Sequence, residues 1–286
     1  MIETLHVDGL GQIELTFTER GSGKPVLLLH GGAGPVSVAA WAELLARTRP
    51  ARVITPTHPG FNGTPRPEAL TTVGGLARVY AAFLAKLGLD QVTVIGNSVG
   101  GWIAAELALL PIAPQRLANL VLVDAGGLEV PGLPVVDIFS LPLDELSRLS
   151  YHDPARFRID PSKLPPEAKA AIAGNRATLK LYGGDKADPS LRARLPAIKT
   201  PTLVAWGESD GVFVSDYGRA YAQAIPGAKL ELLAGAGHMP QMETPELLVE
   251  KVWAFAVAPA SVPARVNVMS LVEPASVPVG PKLDPR

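Results

Sequence analysis

The chain has 286 residues, of which 47% are hydrophobic and 19% are charged, a composition typical of a globular protein with a sizeable core. Its formal net charge is −1, so we expect neither nucleic acid nor an anionic membrane as a partner. The absence of cysteine excludes disulfides and thiolate metal sites. The first residues lack the features of a signal peptide, and no apolar run approaches about 18 residues, so we expect a cytoplasmic protein.

Short apolar runs alternate with helical patterns along most of the chain. Such strands indicate a mostly parallel sheet covered by helices on both faces, and the first two strands should form an antiparallel edge. The predicted strands are Ile2–Val7, Gln12–Thr18, Val26–Leu29, Arg52–Thr55, Val92–Ile95, Leu120–Val123, Thr202–Trp206 and Leu230–Leu233. The predicted helices are Val38–Leu45, Val73–Leu87, one starting at Trp102, Val214–Ile225 and Pro245–Val257.

Residues 125–198 interrupt this alternation with a segment far longer than an ordinary connection. The segment combines many prolines with short helical patterns at Leu143–Leu149 and Glu167–Leu181. Its apolar content favours an inserted cap over a wandering surface loop. The chain is therefore predicted to consist of an α/β core (1–124 and 199–257), a cap (125–198) and a Pro-rich C-terminal extension (258–286), to which we assign no function.

A sharp turn between a strand and a helix is predicted around Ser98. The sequence Gly96-Asn97-Ser98-Val99-Gly100 places a serine at the apex, with glycines on both sides where a side chain would not fit. Such a turn exposes a hydroxyl that a nearby base can activate. The simpler alternative for Ser98 is a cap on the following helix. A second match to the motif, Gly207 to Gly211, carries Ser209.

Two further polar residues follow predicted strands. Asp210 comes after Thr202–Trp206, and His238 comes after Leu230–Leu233. Because the carboxyl ends of parallel strands meet at one edge of the sheet, we expect Ser98, Asp210 and His238 to converge there. Asp210 therefore fits best as the acid of a Ser-His-Asp triad, which leaves Ser209 as a chance match. The alternative acids are Asp124, which ends a strand, and Glu208.

An oxyanion hole requires backbone N–H donors beside the serine. The turn His30-Gly31-Gly32 follows a strand, so we assign one donor to Gly32 and the second to Val99. His30 and His58 are predicted to be structural histidines. The two remaining histidines, His6 and His152, are predicted to be exposed.

Together these motifs resemble the α/β-hydrolase fold superfamily, over residues 20–256. The resemblance implies an eight-stranded, mostly parallel sheet with an inserted helical cap over the site. Within the superfamily, some details are similar to the carbon–carbon bond hydrolases of aromatic ring-cleavage pathways. These details are Asn97 before the serine, Gly100-Gly101 after it, Gly34-Pro35, Gln241 and Glu243.

The sequence departs from that group in two places. Met239 follows the histidine, where a tryptophan is usual in the group, and no cap arginine is assigned to a substrate carboxylate, although Arg156, Arg158 and Arg176 are available. The sequence therefore predicts a serine hydrolase that acts on a small to medium, largely apolar carboxylic ester through an acyl-enzyme. The predicted enzyme is expected to need no metal or organic cofactor, and its expected partner is a small-molecule substrate. The sequence makes no prediction of the oligomeric state. The alternatives are hydrolysis of a vinylogous diketone, or a ligand receptor or lyase that retains the triad.

Overall fold

The computed structural model describes residues 1–133, 136–158, 160–183 and 187–258. Its main sheet has eight strands in the order β1-β2-β4-β3-β5-β6-β9-β10, and β2 runs antiparallel to both of its neighbours while the other pairs are parallel. The fold class predicted from the sequence is confirmed. The ten strands, including a separate two-stranded pair formed by β7 and β8, are β1 Ile2–Val7, β2 Gly11–Gly21, β3 Lys24–Leu29, β4 Ala51–Pro56, β5 Val92–Asn97, β6 Leu117–Val123, β7 Gly127–Leu128, β8 Ala187–Asp188, β9 Thr202–Gly207 and β10 Lys229–Leu233.

Helices cover both faces of the sheet. Alternate residues of the central strand β3 enter two apolar clusters: Leu27 and Leu29 pack with α2, α3 and α9 on one face, and Val26 and Leu28 pack with α1 and α11 on the other. None of the described helices is long and apolar enough to cross a membrane. The helices are α1 Val36–Thr48, α2 Val73–Lys86, α3 Val99–Ala108, α4 Ala113–Arg116, α5 Leu143–Ser150, α6 Pro154–Phe157, α7 Pro166–Gly183, α8 Leu191–Arg194, α9 Ser215–Ala224, α10 Pro240–Glu243 and α11 Pro245–Val257.

The chain between β6 and β9, here called the inserted segment (125–198), carries α5 to α8 and the β7–β8 pair. Arg194 fastens its C-terminal end to the core, because the guanidinium donates two hydrogen bonds of 2.7 Å to Glu106 on α3 and also pairs with Asp188. The division into core and cap stays a prediction. Residues 259–286 of the predicted C-terminal extension lie outside the described residues.

The end of α5 docks directly on two loops at the carboxyl edge of the sheet. The carbonyl oxygen of Leu149 accepts a hydrogen bond from the N–H of Gly211, at 2.9 Å, and that of Ser150 accepts one from the N–H of His238, at 2.8 Å. Glu243 adds a bridge, because its carboxylate accepts hydrogen bonds from the N–H groups of Gly237 and Asp153, at 2.7 and 3.0 Å. The inserted segment is thus tied by main-chain contacts to the loops that follow β9 and β10.

Two fully buried histidines lie against each other in the loops that follow β3 and β4. The ring centroids of His30 and His58 are 3.7 Å apart. His30 Nδ1 donates to the Gly31 carbonyl, at 2.7 Å, and its Nε2 accepts from the N–H of His58, at 3.1 Å. His58 Nε2 donates to the His30 carbonyl, at 2.8 Å, while its Nδ1 accepts from the Tyr80 hydroxyl. Both rings are therefore neutral and occupied by structural contacts.

We predict that replacing Gly237 destabilises the fold. A Cβ atom there would lie 2.6 Å from the Ser150 carbonyl oxygen and 3.0 Å from the His152 nitrogen, and backbone atoms yield little. Gly237→Ala should lower the free energy of unfolding by about 1–3 kcal/mol, the range for overpacking, as measured by urea denaturation. Gly74→Ala is the matched control, since a Cβ on that helical glycine meets no atom within 4 Å. Equal stability of the two variants would contradict the docking described above.

We also predict a pH-dependent loss of stability from the histidine pair. Burial lowers the pKa of His58 from 6.5 to about 4, and burial together with His58 lowers the pKa of His30 well below its ordinary value. The unfolded chain therefore binds protons that the folded chain does not, so stability is full above pH 6.5 and falls as the pH drops towards 4. For His58 alone the loss at about pH 5 is about 2 kcal/mol.

The measurement is the free energy of urea unfolding at about pH 7.5 and about pH 5. For each variant, the stability lost between the two pH values is compared with the loss in the native protein. His58→Gln should be less stable at the higher pH but should lose about 2 kcal/mol less on acidification than the native protein. His6→Gln, on the exposed edge strand, should leave the native pH difference unchanged. An unaltered pH difference in His58→Gln would overturn the prediction.

Candidate active site

Ser98 occupies a strained turn between β5 and α3. Its backbone has φ 57° and ψ −121°, a conformation that non-glycine residues rarely adopt and that costs about 1–3 kcal/mol. The turn needs glycine on both sides, because a Cβ on Gly96 would lie 2.1 Å from the Gly100 carbonyl oxygen, and one on Gly100 would lie 2.3 Å from that of Leu29. The half-buried Ser98 makes no side-chain capping hydrogen bond to α3. The helix-capping alternative therefore does not account for this serine.

Asp210 and His238 lie on the loops after β9 and β10 and are hydrogen-bonded to each other. His238 Nδ1 donates to Asp210 Oδ2, at 2.8 Å. Asp210 Oδ1 accepts from the N–H groups of Val212 and Phe213, at 2.8 and 3.0 Å, and the Asp210 side chain is fully buried. These donors fix the carboxylate, which in turn accepts the N–H of His238 Nδ1. The hydrogen bond orients the ring and leaves Nε2 outside this contact.

Asn97 joins the turn at Ser98 to the His238 loop. Its Nδ2 donates to the His238 carbonyl, at 3.2 Å, and its Oδ1 accepts from Gln241 Nε2, also at 3.2 Å. Both amide side chains are buried. The residue next to the serine therefore positions the histidine. The sequence analysis singled out Asn97 and Gln241 only through the family resemblance. The one local signal for their contact was that an amide side chain lies near the carboxyl end of each of two strands, β5 and β10.

The predicted oxyanion donors lie beside the serine. A Cβ on Gly31 would come within 3.1 Å of Ser98 Cβ, which places the glycine turn against the serine side chain. Within the described part of the chain, the N–H of Gly32 makes no hydrogen bond. Val99 is the first residue of α3, so its N–H has no partner inside the helix. A Cβ on Gly32 would lie 2.5 Å from Leu179 Cδ2, so α7 covers this turn.

Of the alternative acids and the alternative serine, two are exposed and one is buried beside the Asp210–His238 pair. Glu208 and Ser209 are exposed, and the Ser209 hydroxyl is 2.8 Å from His152 Nδ1, away from the buried pair. Asp124 is fully buried, and its Oδ1 accepts from the N–H of Gly207, at 2.8 Å. One oxygen each of Asp124 and Asp210 and one ring nitrogen of His238 lie within 4.8 Å of one another.

Burial and the negative charge of Asp210 raise the pKa of Asp124 well above its ordinary value. Among the described residues, these three form the one cluster of carboxylates and imidazole that could share a metal ion. Asp210 and His238 already hold each other, and Asp210 also binds two backbone N–H groups. The arrangement is that of a hydrogen-bonded acid–base pair.

A small cavity of about 50 Å³ opens at Ser98. Within the described residues, no side chain of its lining is charged; the residues around the serine are Val99, Trp102, Gly126, Gly127, Val136, Ile138, Phe139, Leu179, Gly183 and Phe213. Phe213 also packs near His238, with ring centroids 5.6 Å apart. The cavity therefore lies between the serine, the ring beside the histidine and the inserted segment.

The three arginines considered for a substrate carboxylate lie elsewhere than in this described lining. Arg176 donates from Nη2 to the carbonyl oxygens of Ile138, Phe139 and Leu141, at 2.9, 3.1 and 3.2 Å. It thereby holds the stretch of the inserted segment whose side chains line the cavity. Arg156 stacks on the ring of Phe157, 4.9 Å from its centroid, and Arg158 is exposed.

The chain is similar to known proteins over most of its length. The chain is 29% identical to a 2-hydroxy-6-oxo-6-phenylhexa-2,4-dienoate hydrolase of Burkholderia cepacia over 268 residues, which covers 84% of this chain and 90% of the relative. It is similar to the structure of a thermophilic esterase from Thermogutta terrifontis, with a TM-score of 0.70, 25% identity and coverage of 89% and 97% of the two chains.

A meta-cleavage product hydrolase from Pseudomonas fluorescens shares the fold, with a TM-score of 0.68, 20% identity and coverage of 88% and 96%. The model of the alpha/beta hydrolase family matches residues 26–251, a stretch that contains the Ser98 turn, the Asp210–His238 pair and the whole inserted segment. This protein belongs to the alpha/beta hydrolase family.

Proposed function

We propose that this hydrolase cleaves small, uncharged carboxylic esters with Ser98 as nucleophile, His238 as general base and Asp210 as the group that orients the base. The supporting observation is that Ser98, which makes no capping hydrogen bond, faces an uncharged cavity beside the buried Asp210–His238 pair. A serine hydroxyl becomes an effective nucleophile when a neutral imidazole can accept its proton.

The proposed reaction has two steps, acylation of Ser98 and hydrolysis of the acyl-enzyme. His238 Nε2 takes the proton of Ser98 as the serine oxygen attacks the ester carbonyl, and the N–H groups of Gly32 and Val99 bind the oxyanion. The imidazolium then gives its proton to the departing alcohol, which leaves an acyl group on Ser98. Water attacks this acyl-enzyme with His238 again as base, and release of the acid restores the serine. Throughout, Asp210 holds His238 Nδ1–H and stabilises the imidazolium.

The cavity limits the size of the acyl group. A volume of 50 Å³ corresponds to about four water-sized groups, because one water needs about 10–15 Å³ by this measure. We therefore expect a short acyl chain of about four carbons to fill the cavity best, and longer chains to extend beyond it. The apolar lining also disfavours a charged acyl group, because burying an unpaired carboxylate is costly.

Hydrolysis of a carbon–carbon bond in a vinylogous diketone is the second candidate. It is favoured by the name of the Burkholderia cepacia relative, whose substrate is a dienoate and therefore carries a carboxylate. The same serine and histidine could serve this reaction. Since no cation belongs to the described lining of the cavity, we rank uncharged esters first.

The test is a series of p-nitrophenyl esters with acyl chains of about two to ten carbons, together with the singly charged succinate ester. We expect kcat/KM to peak near four carbons and to fall at least about tenfold for the longest chain and for the charged ester, because each misfit or unpaired charge weakens transition-state binding. Ser98→Ala should lower kcat by about 10⁴-fold or more.

Ser209→Ala is the matched control, because Ser209 belongs to the second Gly-x-Ser-x-Gly match but is exposed beside His152. It should retain native turnover. Full activity in Ser98→Ala would disprove the assignment of the nucleophile. Turnover of 2-hydroxy-6-oxo-6-phenylhexa-2,4-dienoate that exceeds turnover of every ester would establish the second candidate instead.

A further inference from the structure

Asp124 is a buried carboxyl for which the proposed mechanism has no use. It follows the last residue of β6 with φ 45°, a left-handed conformation that turns its side chain under the neighbouring loop. Its Oδ1 accepts the N–H of Gly207, where β9 ends and the Asp210 loop begins. Its Oδ2 is buried and accepts no hydrogen bond from the described residues. A buried oxygen without a donor is costly as a carboxylate, whereas a protonated Asp124 can donate its O–H to the neighbouring Asp210 carboxylate.

The two carboxyls near His238 are unequally supplied with donors. Asp210 accepts three hydrogen bonds, from Val212, Phe213 and His238, whereas Asp124 accepts one, from Gly207. Two buried carboxyls this close do not both ionise at neutral pH. The charge therefore belongs to Asp210, and Asp124 keeps its proton, in agreement with its raised pKa.

The same proximity gives Asp124 a latent role. One of its oxygens lies within 4.8 Å of both an Asp210 oxygen and a His238 ring nitrogen. We propose that Asp124 is a reserve positioning residue, whose carboxyl takes over the orientation of His238 when the charge of Asp210 is removed. This inference rests on the proposed function. Burial, the larger cause of the raised pKa of Asp124, remains in Asp210→Asn, but the repulsion by the Asp210 charge is gone. The imidazolium that forms during turnover then favours the ionised form of Asp124, because an opposite charge at this distance lowers the pKa of a carboxyl.

The test is a double-mutant cycle on one short-chain ester, with native enzyme, Asp124→Asn, Asp210→Asn and the double variant. An orienting aspartate without a substitute loses about 10⁴-fold in kcat when changed to asparagine. With Asp124 in reserve, Asp210→Asn should lose only about 10²-fold, and the double variant should fall at least about tenfold further. Asp124→Asn alone should lose about two- to threefold, because its amide still accepts the Gly207 N–H. These losses should appear in kcat with KM little changed.

Asp210→Asn combined with Asp216→Asn is the control, because Asp216 is an exposed carboxyl on α9 and its loss should add nothing. Equal kcat in Asp210→Asn and the double variant would overturn the proposal. So would a loss above about 10²-fold in Asp124→Asn alone, because Asp124 would then be the working acid. Circular dichroism checks that each variant folds, and Asp124→Ser, whose hydroxyl can still accept a hydrogen bond, replaces Asp124→Asn if that variant does not fold.

A readout independent of turnover separates this proposal from the proposed function. The downfield proton resonance of His238 Nδ1, observed by NMR in ¹⁵N-histidine-labelled protein, should persist in Asp210→Asn and vanish in the double variant. Its loss in Asp210→Asn would refute the reserve role even if the esterase proposal stands. Its persistence in a protein that hydrolyses no ester would refute the esterase proposal and leave the reserve role supported.

Discussion

The hydrogen bond between His238 and Asp210 links the loops that follow two neighbouring strands. β9 and β10 pair in parallel up to Gly207 and Leu233, so the two loops leave the sheet side by side. The bond between them, 2.8 Å from Nδ1 to Oδ2, requires both loops to hold a fixed shape. Main-chain donors to Asp210 fix the first loop, and the Asn97 amide and the Ser150 carbonyl fix the second. The geometry of the site thus depends on the loops after β9 and β10, on β5 through Asn97, and on α5 through Ser150.

The inserted segment contributes to the site in two ways. The carbonyls at the end of α5 accept hydrogen bonds from the N–H groups of Gly211 and His238, while Ile138, Phe139 and Leu179 line the cavity at Ser98. The inserted segment therefore both supports the loops of Asp210 and His238 and lines the cavity at Ser98. Since many activities share this fold, our proposal of an uncharged substrate rests on the apolar lining and not on the fold.

Most of the sheet and the location of the site could be predicted from the sequence, because buried parallel strands are apolar throughout and their carboxyl ends meet. The strand ends were less predictable. β2 continues to Gly21, beyond the predicted Thr18, because its last residues pair antiparallel with β4, and Glu19 also forms a two-pronged ion pair with Arg52 there. α3 begins at Val99 rather than Trp102. The sequence concealed this start because close packing against the Leu29 carbonyl requires glycine at position 100, and glycine is a poor helix former. Contacts such as Asn97 with His238 join distant residues through side-chain orientation, which no local pattern encodes.

The most direct test of this account is covalent labelling with a fluorophosphonate, followed by mass mapping of the modified peptide. Such a reagent reacts with a serine only when a base activates its hydroxyl and nearby donors bind the oxygen of the adduct. The account predicts one adduct per chain, on Ser98, and strongly slowed labelling in His238→Ala. An adduct on Ser209, or labelling of Ser98 that does not depend on His238, would contradict it.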